Sequence, residues 1–156
     1  MNRSQILENR KTWIKRLKDP KSKKSKHRLG DCYTGGMCCL GHGCEALKIE
    51  RRDTLYQVFY ENNPSYPPDS FVEKVGLYNR HGHIRLVGIY KRYGHIRLDK
   101  ESIKVNGNKY TVGNTVSLSD LNDDTDITPQ EIGLYLESVI DGGDDSPFKP
   151  LSEYPE

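Results

Sequence analysis

The sequence lacks any long apolar run: no stretch approaches the roughly 18 consecutive apolar residues typical of a membrane-spanning helix. Its N-terminus also lacks the apolar segment of a secretory signal peptide. Hydrophobic residues make up only 34% of the chain, whereas charged residues make up 29%. We therefore expect a soluble, cytoplasmic protein without membrane contact, built on a modest core with long polar loops.

Several motifs of catalysis and nucleotide binding are missing. There is no G-x4-G-K-[ST], no G-x-G-x2-G after a predicted strand and no G-x-S-x-G. Neither His83 nor His95 has a Ser or Thr two residues later, so the two-histidine phosphoesterase pattern is missing as well. The acidic segment 118–126 lacks the central glycine of an EF-hand loop, and Asn122-Asp123 predicts a turn there. These absences favour a protein that binds rather than catalyses, and no residue is assigned as catalytic.

Positive charge is unevenly distributed along the chain. Residues 1–60 carry 14 Lys and Arg against 6 Asp and Glu, whereas residues 61–156 carry 10 against 16. The densest basic run, KDPKSKKSKHR (18–28), has no apolar periodicity and predicts a solvated loop. The alternative is contact with nucleic acid or an acidic partner through Lys21, Lys23, Lys24, Lys26 and Arg28. The run contains no aromatic residue, so it offers no stacking surface for single-stranded nucleic acid.

Helical periodicity predicts three helices, and a fourth is conditional on the cysteine-rich segment. The first covers 4–19, is capped by Ser4 and uses Trp13 as a core anchor. The second lies within 66–77 and ends at Gly76. The third begins at the capping box of Thr128 and Glu131 and extends towards residue 143.

Alternating polarity predicts a short antiparallel sheet made of two hairpins. One spans 81–98, and the other spans 102–112 with its turn at Asn106-Gly107. The expected fold is thus a small α+β domain of three or four helices around this sheet, formed by residues 1–143. Residues 144–156 contain three prolines and four acidic residues, which predicts a mobile C-terminal tail.

The sequence GHIRL occurs twice, at 82–86 and 94–98. A three-residue loop at 92–94 would preserve the alternation of apolar and charged faces in this hairpin. Its charged face would then present His83, Arg85, Lys91, His95 and Arg97. Such a surface attracts a phosphate or carboxylate, which makes it a candidate anion site. The alternative is an ordinary solvated hairpin face.

All four cysteines lie between residues 32 and 44. A zinc site using Cys32, Cys38, Cys39, His42 and Cys44 is one interpretation, but structural zinc sites usually present two spaced pairs, which the spacing here does not match. The favoured interpretation is a helix over 37–48 with Leu40, Cys44 and Leu47 facing the core, and no cofactor. A reactive thiol is the third, because a helix N-terminus lowers the pKa of a cysteine such as Cys38 or Cys39.

Four sequence blocks occur in a characteristic order. They are NRKTWIKRL (9–17), CCLGHGCEAL (38–47), YPPDSFVEKVGL (66–77) and LSDLNDDTDITPQEIGLYLES (118–138). The order resembles a widespread group of small proteins encoded by bacteriophages and prophages, and the blocks extend over about two thirds of the chain. The sequence departs from the group's pattern at Tyr66, where leucine is usual, and at Lys74, where tryptophan is usual.

The resemblance implies a viral origin and the order of the helical blocks, but no catalytic residues. Taken with the basic loop and the charged hairpin, it leads us to expect a phage accessory protein in the cytoplasm of the infected host cell. It would bind a host protein or a phosphorylated small molecule, with counter-defence as one purpose. Two alternatives remain open at this point: a nucleic-acid-binding protein that uses the 18–28 loop, and a zinc- or thiol-dependent enzyme.

Overall fold

The computed structural model describes residues 1–85, 102–105, 108–111, 115–124, 127–143 and 146–156. Within these ranges it contains five α-helices, one short 3-10 turn and six strands. The helices are α1 (Arg3–Lys18), α2 (Cys39–Ala46), α3 (Asp69–Val75), α4 (Leu118–Asp124) and α5 (Pro129–Ser138), and the 3-10 turn is Leu151–Glu153. The strands are β1 (Arg51–Asp53), β2 (Val58–Tyr60), β3 (His83–Arg85), β4 (Ser102–Val105), β5 (Asn108–Thr111) and β6 (Thr115–Ser117). The expected α+β class is confirmed.

Helix α1 lies at the centre of the helical packing. It is capped by Asn2 rather than by Ser4, because Asn2 and Gln5 form a reciprocal capping box. Trp13 is fully buried, and its ring meets Phe71 and Phe148 edge-to-face at centroid distances of 5.2 and 5.9 Å. Its indole N–H donates to the carbonyl of Cys39 at 2.9 Å, so the polar atom of this core residue is satisfied. The prediction that Trp13 anchors the core is confirmed.

Helices α3 and α5 follow their local sequence signals. Helix α3 ends at Gly76, whose φ of 66° is the left-handed conformation that glycine adopts without strain. Helix α5 begins with Pro129 after the N-cap Thr128, whose hydroxyl accepts from the N–H of Glu131 at 3.1 Å. It ends at Ser138, so it is shorter than the sequence pattern predicted.

The described strands pair as three two-stranded antiparallel sheets. Strands β4 and β5 form the predicted second hairpin, in which Val105 lies opposite Asn108. Strand β3 contains the first GHIRL copy and pairs with β6, with His83 opposite Ser117. The second copy, at 94–98, lies outside the described residues. The β1–β2 hairpin was not predicted, since the short strands leave no clear alternation in that segment.

The segment predicted as a turn at Asn122-Asp123 is instead part of helix α4. Its Leu118 and Leu121 are fully buried one helical turn apart, which favours the helix over the turn. The Asn122 side chain, also fully buried, accepts from the N–H of Cys39 at 3.2 Å and donates to the carbonyl of Ser25 at 2.7 Å. The amide therefore bonds to distant backbone rather than to its own turn.

The prediction of a mobile C-terminal tail is wrong for residues 146–156. Phe148 is fully buried, and the guanidinium of Arg10 lies over its ring at 4.4 Å. Arg10 is also fully buried and donates to the carbonyls of Val75, Ile140 and Lys149 at 2.8, 2.7 and 2.9 Å. One apolar ring and one buried cation thus hold the segment, although its composition is typical of disorder.

We expect Arg10→Met to destabilise the fold by about 3 kcal/mol or more, because it removes the N–H groups that donate to three backbone carbonyls. Urea unfolding at neutral pH measures the change. The matched control is Arg52→Met at an exposed position, which should stay within about 0.5 kcal/mol of the parent. A loss below about 1 kcal/mol for the Arg10 variant would contradict the role given to this residue.

Candidate ligand-binding cleft

The cysteine-rich segment is a packing element. Helix α2 covers Cys39–Ala46, with Leu40 and Cys44 buried and Leu47 packed at the edge of the core, as predicted. At Gly41 a Cβ atom would lie 1.9 Å from the carbonyl oxygen of Leu29, so only glycine allows this approach. Among the described residues no group of three or more His, Cys, Asp or Glu side chains is arranged to hold a metal ion.

Burial overrides the effect of the helix N-terminus on the thiols. Cys38 is the N-cap of α2, and its sulfur accepts from the N–H of Gly41 at 3.3 Å, an arrangement that lowers a thiol pKa. Desolvation nevertheless raises the pKa of Cys38 to about 12. It also raises the pKa of Cys39 and Cys44 well above the ordinary range. These three thiols are therefore protonated at neutral pH, which disfavours them as nucleophiles.

The side chain of His42 is also buried, and both of its ring nitrogens form hydrogen bonds. Its ring Nδ1 accepts from the Arg16 Nε–H at 3.2 Å, and its Nε2–H donates to the carbonyl of Lys23 at 2.8 Å. Both ring nitrogens thus have protein partners, which leaves neither free to bind zinc. Burial, together with the nearby Arg16 cation, lowers the pKa of His42 to about 4.

The basic loop is ordered by contacts of its backbone. The Lys23 carbonyl accepts from the N–H of Met37 at 2.9 Å, and Ser25 N–H donates to the carbonyl of Met37 at 3.1 Å. Lys24 directs its ammonium group to the carbonyl of Ile127 at 2.8 Å. Lys21, Lys23 and Lys26 remain exposed. The loop therefore presents these charges from a fixed backbone, whereas the sequence predicted only a solvated loop.

A polar cleft of about 550 Å³ lies where the end of this loop meets β3 and α4. It is lined by His27, Arg28, Cys38, Ser65, Tyr66, His81, His83, Ser117, Ser119, Asp120 and Asp123. The residues combine imidazoles, a guanidinium, hydroxyls and two carboxylates around one space. We call this space the polar cleft.

Two of the cleft histidines lie side by side. The rings of His81 and His83 are 5.9 Å apart, and Tyr66 meets His81 edge-to-face at 5.0 Å. The exposed His83 ring is oriented by Asn79, whose side-chain nitrogen lies 2.9 Å from Nδ1. Partial burial lowers the pKa of His81, and the neighbouring His83 lowers it further. His81 is thus largely neutral at neutral pH.

The third histidine is held in an uncommon backbone conformation. His27 has a φ of 63°, a left-handed value that costs energy in a residue other than glycine. Its N–H donates to a carboxylate oxygen of Asp123 at 2.9 Å, and the Asn122 amide donates to the same oxygen at 3.0 Å. The Asp123 carboxylate therefore fixes the loop where it enters the cleft, and its side chain is only partly exposed.

Part of the predicted anion site lies in this cleft. His83 lines it, and Arg85 belongs to the adjoining strand β3. The other three predicted members, Lys91, His95 and Arg97, lie outside the described residues. The sequence treated Arg28 and His83 as parts of two different candidate sites, but the structure places both on one cleft.

Several cleft residues were not predicted from the sequence. His27 lies within the basic run but was not assigned to any site, and His81, Ser117 and Ser119 carried no motif. The missing signal was the pairing of β3 with β6, which brings His83 opposite Ser117 across a separation of 34 positions. The turn that begins at Asn79 gives a local hint, since its side-chain oxygen accepts from the N–H of His81 at 2.9 Å.

Comparisons with known proteins returned no match: no protein-family model fits the chain, and no curated protein or solved structure is similar to it. In the part of the chain that the structure describes, no helix is long and apolar enough to cross a membrane.

Thiol labelling in the native protein should modify one cysteine quickly. Cys32 is partly exposed in its loop, whereas Cys38, Cys39 and Cys44 are buried. We expect a disulfide reagent at mildly alkaline pH to react with Cys32 alone, and with all four thiols after denaturation. Cys32→Ser, used as a control, should remove the fast phase. Fast labelling of Cys38 or Cys39 in the folded protein would restore the thiol-enzyme interpretation.

Stability should fall with acid through the titration of His42. The pKa of this base is depressed from an ordinary 6.5 to about 4, so the unfolded chain binds its proton first. Its contribution is complete above pH 6.5 and is lost as pH falls towards 4, on the order of 3 kcal/mol in total. The free energy of unfolding, measured with denaturant at several pH values in this range, should change less with pH for His42→Gln than for the parent. An equal change with pH in both proteins would mean that His42 is not buried as a neutral ring.

Proposed function

We propose that the protein acts by binding a ligand that carries a phosphate group, and that the polar cleft is the binding site. The supporting observation is the convergence of Arg28, His27 and His83 with three serine hydroxyls on one cleft. Guanidinium, imidazolium and hydroxyl groups are the usual donors to phosphate oxygens in proteins. A volume of about 550 Å³ lies within the range of small-ligand sites.

The two carboxylates of the cleft set a condition on this binding. Asp120 and Asp123 line the cleft together with Arg28, and their negative charges oppose an anion unless its phosphate lies nearer the guanidinium than the carboxylates. In the proposed arrangement Asp123 also fixes the loop that carries Arg28, because its carboxylate accepts from the His27 N–H at 2.9 Å.

The biological setting that we propose comes from the order of the four sequence blocks, which resembles that of small phage proteins. In this setting the protein is a phage accessory factor in the cytoplasm of an infected host cell. Sequestering a phosphorylated, nucleotide-like molecule would inhibit a host process, and counter-defence is one such use. The absence of a recognised catalytic motif in the sequence is consistent with sequestration.

Nucleotide monophosphates are suitable probes for the cleft. We expect calorimetry at neutral pH to show binding of a nucleotide monophosphate to the parent protein, because Arg28 and the hydroxyl and imidazole groups of the cleft can donate to its phosphate. Arg28→Gln and His83→Gln should each weaken binding by about 10-fold, which is the value of one lost charge-assisted hydrogen bond.

Lys21→Gln is the matched control, since Lys21 is an exposed cation of the same loop but does not line the cleft. It should bind like the parent protein. Equal weakening by all three substitutions would indicate a diffuse charge effect and argue against a site in the cleft. A complete lack of binding across nucleotide monophosphates and inorganic phosphate would refute the proposed function.

A further inference from the structure

Three exposed side chains form an apolar surface beside the polar cleft. Tyr33, Leu55 and Tyr56 are 74%, 79% and 64% exposed, the highest values among the large hydrophobic residues for which exposure is described. Tyr33 and Tyr56 lie with their ring centroids 6.5 Å apart. We call these three residues the tyrosine patch.

Local hydrogen bonds fix the two segments that carry the patch. The turn between β1 and β2 is closed by Thr54, whose N–H donates to the carbonyl of Gln57 at 2.9 Å. The Tyr33 backbone is fixed by Asp31, whose carboxylate accepts from the Tyr33 N–H at 2.8 Å. The two tyrosines are therefore presented to solvent by a defined backbone, although exposed aromatic rings are costly to leave in water.

Arg28 joins the tyrosine patch to the polar cleft. Its guanidinium donates to the carbonyl of Tyr56 at 3.0 Å, and the same side chain lines the cleft. One surface thus passes from the two phenol rings over Arg28 to the histidines. This arrangement supplies the aromatic rings that are missing within the basic run itself.

Exposed cations on neighbouring segments indicate which kind of partner the tyrosine patch suits. Lys26 is exposed in the same loop as Arg28, and Arg52 is an exposed cation that lies over the Phe59 ring at 5.1 Å. The nearby carboxylate of Asp31 is already engaged by backbone N–H groups. Exposed aromatic rings interleaved with cations are typical of surfaces that bind single-stranded nucleic acid, where bases stack and phosphates contact the cations.

We infer that the ligand of the polar cleft is a single-stranded nucleic acid, with a phosphate held in the cleft by Arg28 and adjacent bases stacked on Tyr33 and Tyr56. This inference rests on the proposed function and names its ligand class. Stacking on aromatic faces tolerates any base, so binding is expected to show little sequence preference.

The test compares a mononucleotide with a 5′-phosphorylated oligonucleotide of about eight residues, within the range that one compact domain covers. Fluorescence anisotropy and calorimetry give the affinities for the parent and for a Tyr33→Ala, Tyr56→Ala double variant. We expect the oligonucleotide to bind more tightly than the mononucleotide. The double variant should lose about 10-fold or more in oligonucleotide affinity and retain its mononucleotide affinity.

Two further variants separate stacking from other effects. The Tyr33→Phe, Tyr56→Phe double variant keeps both rings and should bind the oligonucleotide like the parent. Tyr78→Ala removes an exposed tyrosine that does not line the cleft and should also have no effect. Oligonucleotide affinity should fall with salt, with a logarithmic slope of about 0.7 for each phosphate contacted.

The possible failures are distinguishable. An oligonucleotide that binds no more tightly than the mononucleotide would overturn the inference and leave the proposed function intact. Tight oligonucleotide binding that survives the alanine double variant would also overturn it, because the tyrosines would then not contact the strand. If neither probe binds, both the inference and the proposed function fail.

Discussion

The buried guanidinium of Arg10 is the contact on which the helical packing depends. It extends from α1 and reaches backbone carbonyls at the end of α3, just beyond α5 and in the C-terminal segment. Carbonyls at helix C-termini carry partial negative charge and lack helical partners, so a cation satisfies them without requiring a carboxylate. Desolvation lowers the pKa of Arg10 to about 10, yet the side chain stays charged at neutral pH.

Elements with local signals were predictable, and elements that depend on distant partners were not. Helix α3 is bounded by proline and glycine, and α5 begins with a cap and a proline, so each could be located from its own residues. Asn122 also carries a local signal, for a turn, but its amide bonds to the backbone of Cys39 and Ser25 instead. The hydrogen-bond partners of such a side chain cannot be predicted from the sequence, because they are brought close to it only by the tertiary fold.

The same limit applied to the C-terminal segment and to the cleft. Composition alone indicated a mobile tail. A single Phe among prolines and acidic residues does not reveal that its ring will pack against Arg10 and Trp13 of α1. The cleft needed two parts of the chain that only β3–β6 pairing brings together. Residue types able to donate to a phosphate could therefore be picked out from the sequence, whereas their grouping into one cleft depended on tertiary structure.

Whether a reactive side chain can contact a ligand depends on its solvent exposure, and not on how many such residues lie close together in the sequence. The cysteines are the densest cluster of reactive groups in the sequence, but three of them are buried and their thiol pKa values rise accordingly. His42 is neutralised in the same way, while His83 remains exposed beside the cleft. The basic loop is fixed by its backbone contacts to Met37, so ordering that part of the surface adds little entropy cost when a ligand binds. Exposed cations on an ordered loop are therefore accessible to a ligand at the cleft, whereas the buried thiols are not.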